Sequence, residues 1–133
     1  MPTENAQRVR EAYEALSRDD LDGMLELLHP EMEFRNPDYA MEPGTRHGRD
    51  GFRRAWEAGQ EVLEDLHFDV ERIVEGDDVI VVVVRISGRG RGGGVPIDSR
   101  FGHVLELRGD QVARVSWFQD PAEAFAAAGI SAP

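Results

Sequence analysis

The stretch LHFDVERIVEGDDVIVVVVRISGRG, residues 66–90, decides how the rest of the chain reads. Its two halves are rich in β-branched residues and meet at Gly76 and Asp77, residue types that tolerate a tight turn, so the spacing predicts a long antiparallel hairpin. Val79 to Val84 run apolar without interruption. A strand with one solvated face alternates apolar and polar residues. An unbroken run therefore marks a strand buried on both faces, in the middle of a sheet that is covered on each side. One face then needs a second cover.

Downstream, GRGRGGG (residues 88–94) reads as a flexible hairpin connection whose Arg89 and Arg91 lack an obvious local carboxylate. VPIDSRFGHVLELRG and DQVARVSWF read as two further strands, and PAEAFAAAG as a short terminal helix. Upstream the period changes to that of helices. From a Thr3 cap, Val9, Ala12, Tyr13 and Leu16 recur at helical spacing. After Asp19 or Asp20, Leu21, Met24, Leu25 and Leu28 form a second stripe that Pro30 ends. EMEFRNP is a short strand with Met32 and Phe34 on one face, DYAMEPGTRHG a loop, and Phe52, Ala55, Trp56, Gly59, Val62 and Leu63 mark a third helix.

A length of 133 residues fits a single domain, residues 1–133, that buries roughly two-thirds of its unfolded surface. Fifteen Lys and Arg against 26 Asp and Glu give a net charge of -11, which disfavours nucleic acid and anionic membrane surfaces as partners. There is no Cys, so thiol redox chemistry and thiolate zinc sites are excluded. No signal-peptide core and no membrane-length apolar run occur, and the expectation is a cytoplasmic protein. GRGRGGG joins strands and opens no helix, so it is not a dinucleotide fingerprint.

Three helices, a curved antiparallel sheet and the closing WFQDPAEAFAAAG resemble the SnoaL-like branch of the nuclear-transport-factor-2-like superfamily. The resemblance is carried by AYEALSRDDLDGMLELLHPEMEFRNP, GRDGFRRAW and HVLELRGDQVARVSWFQDP. It implies an α+β fold in which helices close one end of a cone-shaped sheet around an apolar pocket. Its members include ketosteroid isomerases, polyketide cyclases, limonene-epoxide hydrolases and scytalone dehydratase, so fold alone does not assign a reaction. By the same resemblance, Val81, Val83, Arg85 and Ser87 are expected to face the pocket. Ile80, Val82, Val84 and Ile86 are then expected to face outward, against a second copy in a homodimer.

Candidate residues follow from that frame. His103 stands where the resemblance places an oxyanion donor or a cyclase histidine; otherwise it is a core imidazole bonded to a neighbouring strand or a Tyr. Trp117 and Asn36 stand where relatives carry acting carboxylates, and neither an indole nor an amide can take a proton. Asp38, two residues on, is the substitute base. Asp120 precedes Pro121 and Glu123 in a helix-capping pattern, with a pocket role as the rival reading. Arg85 either holds an anionic or carbonyl substrate or makes an ion pair with Asp38, Asp98 or Asp120. Tyr13, Phe34, Asn36, Trp56, Phe101 and Trp117 are the candidate substrate-binding wall, with core packing as the rival reading for Tyr13, Phe34 and Trp56. His29, Glu31 and Glu33 alternate as a metal set would, but His29 before Pro30 reads first as a helix end, so no metal and no cofactor is expected.

Two functions remain open on the sequence. One is a cofactor-free isomerase, cyclase, dehydratase or hydrolase acting on a hydrophobic small molecule, with His103, Asp38 and Asp120 as its chemistry. The other is a dimeric ligand-binding or structural module that lacks the base. A carboxylate within hydrogen-bond reach of His103 would discriminate them.

Overall fold

The computed structural model describes residues 3–39 and 44–131, and the chain runs α1 (Glu4–Ser17), α2 (Leu21–Leu25), β1 (Leu28–Asn36), β2 (Gly44–His47), α3 (Gly48–Val62), β3 (Leu63–Gly76), β4 (Val79–Gly90), β5 (Pro96–Arg108), β6 (Gln111–Phe118) and α4 (Pro121–Ala128). The six strands form one curved, unclosed sheet in the order β2-β1-β6-β5-β4-β3, antiparallel except where β1 meets β6. This is the α+β architecture expected.

Local chemistry sets each helix. Thr3 accepts the Ala6 N–H at 3.1 Å and starts α1, whose Val9, Ala12, Tyr13 and Leu16 are buried. Asp20 accepts the Gly23 N–H at 3.3 Å and starts α2. That helix is shorter than the sequence pattern suggested. Leu28 and Pro30 belong to β1, because Val112 N–H bonds the Leu27 carbonyl and draws the chain into the sheet. The segment expected to be loop after β1 supplies β2, which pairs with β1 from Asn36 to Glu33.

The hairpin of β3 and β4 turns at Asp77 and Asp78, the latter at φ 55, one residue later than the Gly76–Asp77 reading. Ile80 to Val84 are all buried, as the unbroken apolar run requires. The expected assignment of the two faces, however, is reversed. Ile80, Val82, Val84 and Ile86 pack inward with Tyr13, Leu16, Trp56 and Phe68. Val81 and Val83 point outward and pack with Val104, Ala124 and Phe125. The second cover is thus α4 of the same chain. The apolar strip on which a homodimer was argued lies in the chain's own core.

Gly102 shows how close that cover sits. A Cβ there would stand 2.6 Å from Ala124 Cβ and 2.9 Å from Pro121 Cα, so only glycine lets α4 lie against β5. The turn near Gly90 is also tied down rather than free. Arg89 pairs with Asp65, while Arg91 pairs with Glu64 at 3.5 Å and donates to the Gln60 carbonyl. The expected absence of carboxylate partners is corrected: both are supplied by β3, adjacent in space but distant in sequence.

At one side of the sheet β3 is an edge strand, interrupted by register shifts between Glu64 and His67 and between Val70 and Arg72. Ser17 at the end of α1 meets it: the hydroxyl accepts the Phe68 N–H at 2.9 Å and donates to the Phe68 carbonyl at 3.1 Å.

Candidate functional site

The inner face of the sheet, opposite α4, gathers the aromatic residues of the sequence reading. Pairing across β4, β5 and β6 sets Val82 beside His103 and His103 beside Trp117, with Val84 opposite Phe101. Strand β1 continues the face through Phe34, which pairs with Val115, and Asn36 two residues on. From the helices, Tyr13 and Trp56 project onto the same surface.

His103 is bonded to Tyr13. The phenol oxygen and Nδ1 are 2.6 Å apart, and the rings stack at 5.7 Å and 27°. Of the two readings offered for a core imidazole, the Tyr partner is the one present. Burial pushes the His103 pKa down to about 4 and the Tyr13 phenol above its usual value, so both groups are neutral near pH 7. A phenol is the stronger donor of the two. With Tyr13 donating to Nδ1, the remaining proton of the neutral ring sits on Nε2.

Further aromatic contacts extend from this pair. Phe68 lies 6.5 Å from Tyr13 and 5.8 Å from Trp56, Phe34 meets Phe52 edge-on at 5.4 Å, and Phe101 meets Trp117 edge-on at 6.0 Å. Trp117 donates its indole N–H to Asn36 Oδ1 at 2.7 Å. His103, Phe34, Asn36, Trp56, Phe68, Phe101 and Trp117 all face inward and all keep partial exposure. Tyr13, deeper, is 3 % exposed. These side chains lie within the fold and remain partly accessible, whereas two surface hollows, of about 320 and 370 Å³, lie beside the end of α1 and β3, lined by residues such as Ser17, Arg18, Gln60 and Phe68.

The remaining candidates lie elsewhere. Arg85 is half-exposed on the outer face, where its guanidinium forms a two-point contact with Asp98 at 2.7 and 2.6 Å. It is the expected ion pair, not a pocket residue, and the hydrogen bond holds the Asp98 carboxyl below its ordinary range. Asp120 accepts the Ala122 N–H at 2.9 Å and caps α4, with Pro121 following it, on the side of the sheet away from His103. Asp38 is exposed in the turn after β1. His29 Nδ1 accepts the Glu31 N–H and Glu33 binds Arg114, and among the described residues no group of three His, Asp or Glu is placed to hold a metal ion.

The sequence reading missed Tyr39. Its ring stands edge-on to Trp117 at 6.2 Å and its hydroxyl accepts the Gln119 N–H at 2.7 Å. Its only sequence signal was an aromatic within a turn-rich segment, which reads as loop.

A six-stranded curved sheet with three helices before β3 and an aromatic inner face defines a nuclear-transport-factor-2-like cone. The chain belongs to the SnoaL-like domain family, whose pattern matches residues 9–115. Among solved structures, it is similar to a protein of this fold and of unknown function from Burkholderia pseudomallei, with 26% identity, a TM-score of 0.80, and coverage of 94% of this chain and 97% of that one. TerC co-crystallised with polyporic acid is similar at 21% identity and a TM-score of 0.79, covering 94% and 97% of the two chains. IdmH, a putative polyketide cyclase from Streptomyces antibioticus, is similar at 22% identity and a TM-score of 0.76, covering 96% and 100%. No curated protein sequence matches the chain. Among the described residues no helix is long and apolar enough to cross a membrane.

Proposed function

We propose that this protein binds a flat, apolar, carbonyl-bearing small molecule inside the cone, and that His103 is the donor that orients it. The observation carrying this reading is the 2.6 Å link between Tyr13 and His103 Nδ1; burial keeps the imidazole neutral, and with the phenol as the donor its proton is on Nε2. A neutral imidazole N–H in a low-dielectric site can donate to a carbonyl oxygen and stabilise negative charge that develops there. It cannot also serve as the base from that nitrogen. Asn36 and Trp117, at the positions where relatives place carboxylates, are bonded to each other and take no proton.

His103 thus has a phenol partner where general acid–base chemistry would call for a carboxylate. That favours ligand binding, with catalysis limited to polarising a carbonyl whose neighbouring C–H loses its proton to water. Cyclisation or isomerisation of a polyketide-like carbonyl compound fits this limit, and epoxide hydrolysis by an acting Asp does not. Arg85 has no part in it, and Asp120 acts through the stability of α4.

The test is titration calorimetry with aromatic quinones, beginning with polyporic acid, on wild type and His103→Ala. Binding weakened about threefold to tenfold in the variant, the worth of one hydrogen bond, is expected. Wild-type protein that binds no aromatic carbonyl compound would end this reading. Self-association, if retained through the sheet, would use the outer surface beyond α4, where Arg85–Asp98 and Arg100–Glu71 pairs already neutralise one another. Light scattering at micromolar concentration measures it.

A further inference from the structure

Tyr39 is one of three large hydrophobic residues left exposed among the described residues, at 49%, beside Val62 and Val95. Unlike those two it is held on two counts, by the Gln119 N–H on its hydroxyl and by the edge-on contact with Trp117. Trp117 is in turn fixed from three directions. Asn36 takes its N–H, Phe101 meets it at 77°, and Tyr39 meets it at 85°. A packed indole also bonds its N–H, but packing need not fix the plane of its ring. This one has its plane set by a hydrogen bond and two perpendicular rings, next to His103 in the sheet and with part of its surface accessible.

We infer that Tyr39 is a specificity-determining positioning residue: it helps set the plane of Trp117, so that a ligand held beside His103 packs on that plane and flat rings are taken in preference to globular ones. The inference rests on the cone being a ligand site and assigns the shape selection within it. Perpendicular aromatic neighbours prefer one ring orientation over others, and each such pair is worth about threefold to tenfold in an equilibrium. Removing Tyr39 leaves the indole held by Asn36 and Phe101 alone, so its plane is less well fixed and distinguishes the two shapes less well.

The experiment compares two ketones that offer His103 the same acceptor but differ in shape: planar 1,4-naphthoquinone and globular camphor. The chain has no Cys for the quinone to alkylate. Wild type is expected to favour naphthoquinone. In Tyr39→Ala the ratio of the two affinities should fall about threefold to tenfold at unchanged melting temperature, and Tyr39→Phe, which keeps the ring without its tether, should fall between. His103→Ala should weaken both ketones and leave the ratio in place. A ratio in Tyr39→Ala within twofold of wild type overturns the inference while leaving the cone as a ligand site. A wild type that binds neither ketone overturns both.

Discussion

The two faces of the sheet are built from the same strands and solve opposite problems. Beneath α4 the outer face is aliphatic and tight: Val81 is 0% and Ala124 0% exposed, and glycine is required at 102 for the helix to approach. The inner face is equally tight over Ile80, Val82 and Val84 and loosens only at an aromatic patch. His103, Phe101 and Trp117 alternate on it, and each keeps accessible surface. Both faces therefore contribute core, and only the inner one carries a partly accessible aromatic patch beside it.

The strongest way to break this contrast is Phe125→Ala. The side chain is 6% exposed at the centre of the α4 contact, so its loss should destabilise the protein by about 3–5 kcal/mol in chemical denaturation. The same experiment on His103→Ala, which leaves the buried Tyr13 hydroxyl unpaired, should show a smaller change of about 1–3 kcal/mol together with the threefold to tenfold weaker binding. If the two variants were equally unstable, the inner face would be ordinary core.

Acidification should sharpen the contrast next. The folded pKa of His103, about 4, lies below the unfolded value of 6.5, so between these limits the unfolded chain binds the extra proton. The stability associated with the neutral ring is fully present above pH 6.5 and is lost as pH falls toward 4. Wild type should accordingly lose more stability than His103→Gln across that window, measured as the difference between their denaturation midpoints, because carboxylates titrate alike in both. Equal slopes would mean that His103 is solvated.

A smaller effect is expected at the start of α4. Asp120→Ala should cost about 1 kcal/mol and Asp120→Asn well under that, since Asn also accepts the amide bond, and neither should alter ligand affinity. Smallest of all is Arg85→Ala. Its exposed pair with Asp98 lies across the sheet from His103, and both melting temperature and binding should stay within measurement error of wild type.

Apart from β2, which read as loop, the order of elements was legible because it rests on local signals. The caps at Thr3, Asp20 and Asp120 and the unbroken run from Val79 to Val84 each act within a few residues. Which way β4 faces was not legible. With every position apolar, the period carries no phase, and only the pairing of Val82 with His103 and the placement of α4 fix it. At the site, the shared face of His103, Phe101 and Trp117 was implied by the family resemblance, and the strand pairing places them together. The partner of His103, Tyr13, is 90 residues away, and Tyr39 sits 80 residues from the amide it accepts, so no local pattern could announce either contact.

The Ser17 clasp on β3 has a consequence for how this molecule behaves among its own copies. An edge strand of 14 residues offers a row of unpaired amides and carbonyls, which is a template for a strand from another chain. Ser17 satisfies both backbone groups of Phe68, and two register breaks twist the strand on either side of it. No straight run long enough to recruit an intruding strand is left at that point. A single hydroxyl at the end of the first helix thereby helps keep a concentrated solution of this protein from polymerising along its sheets.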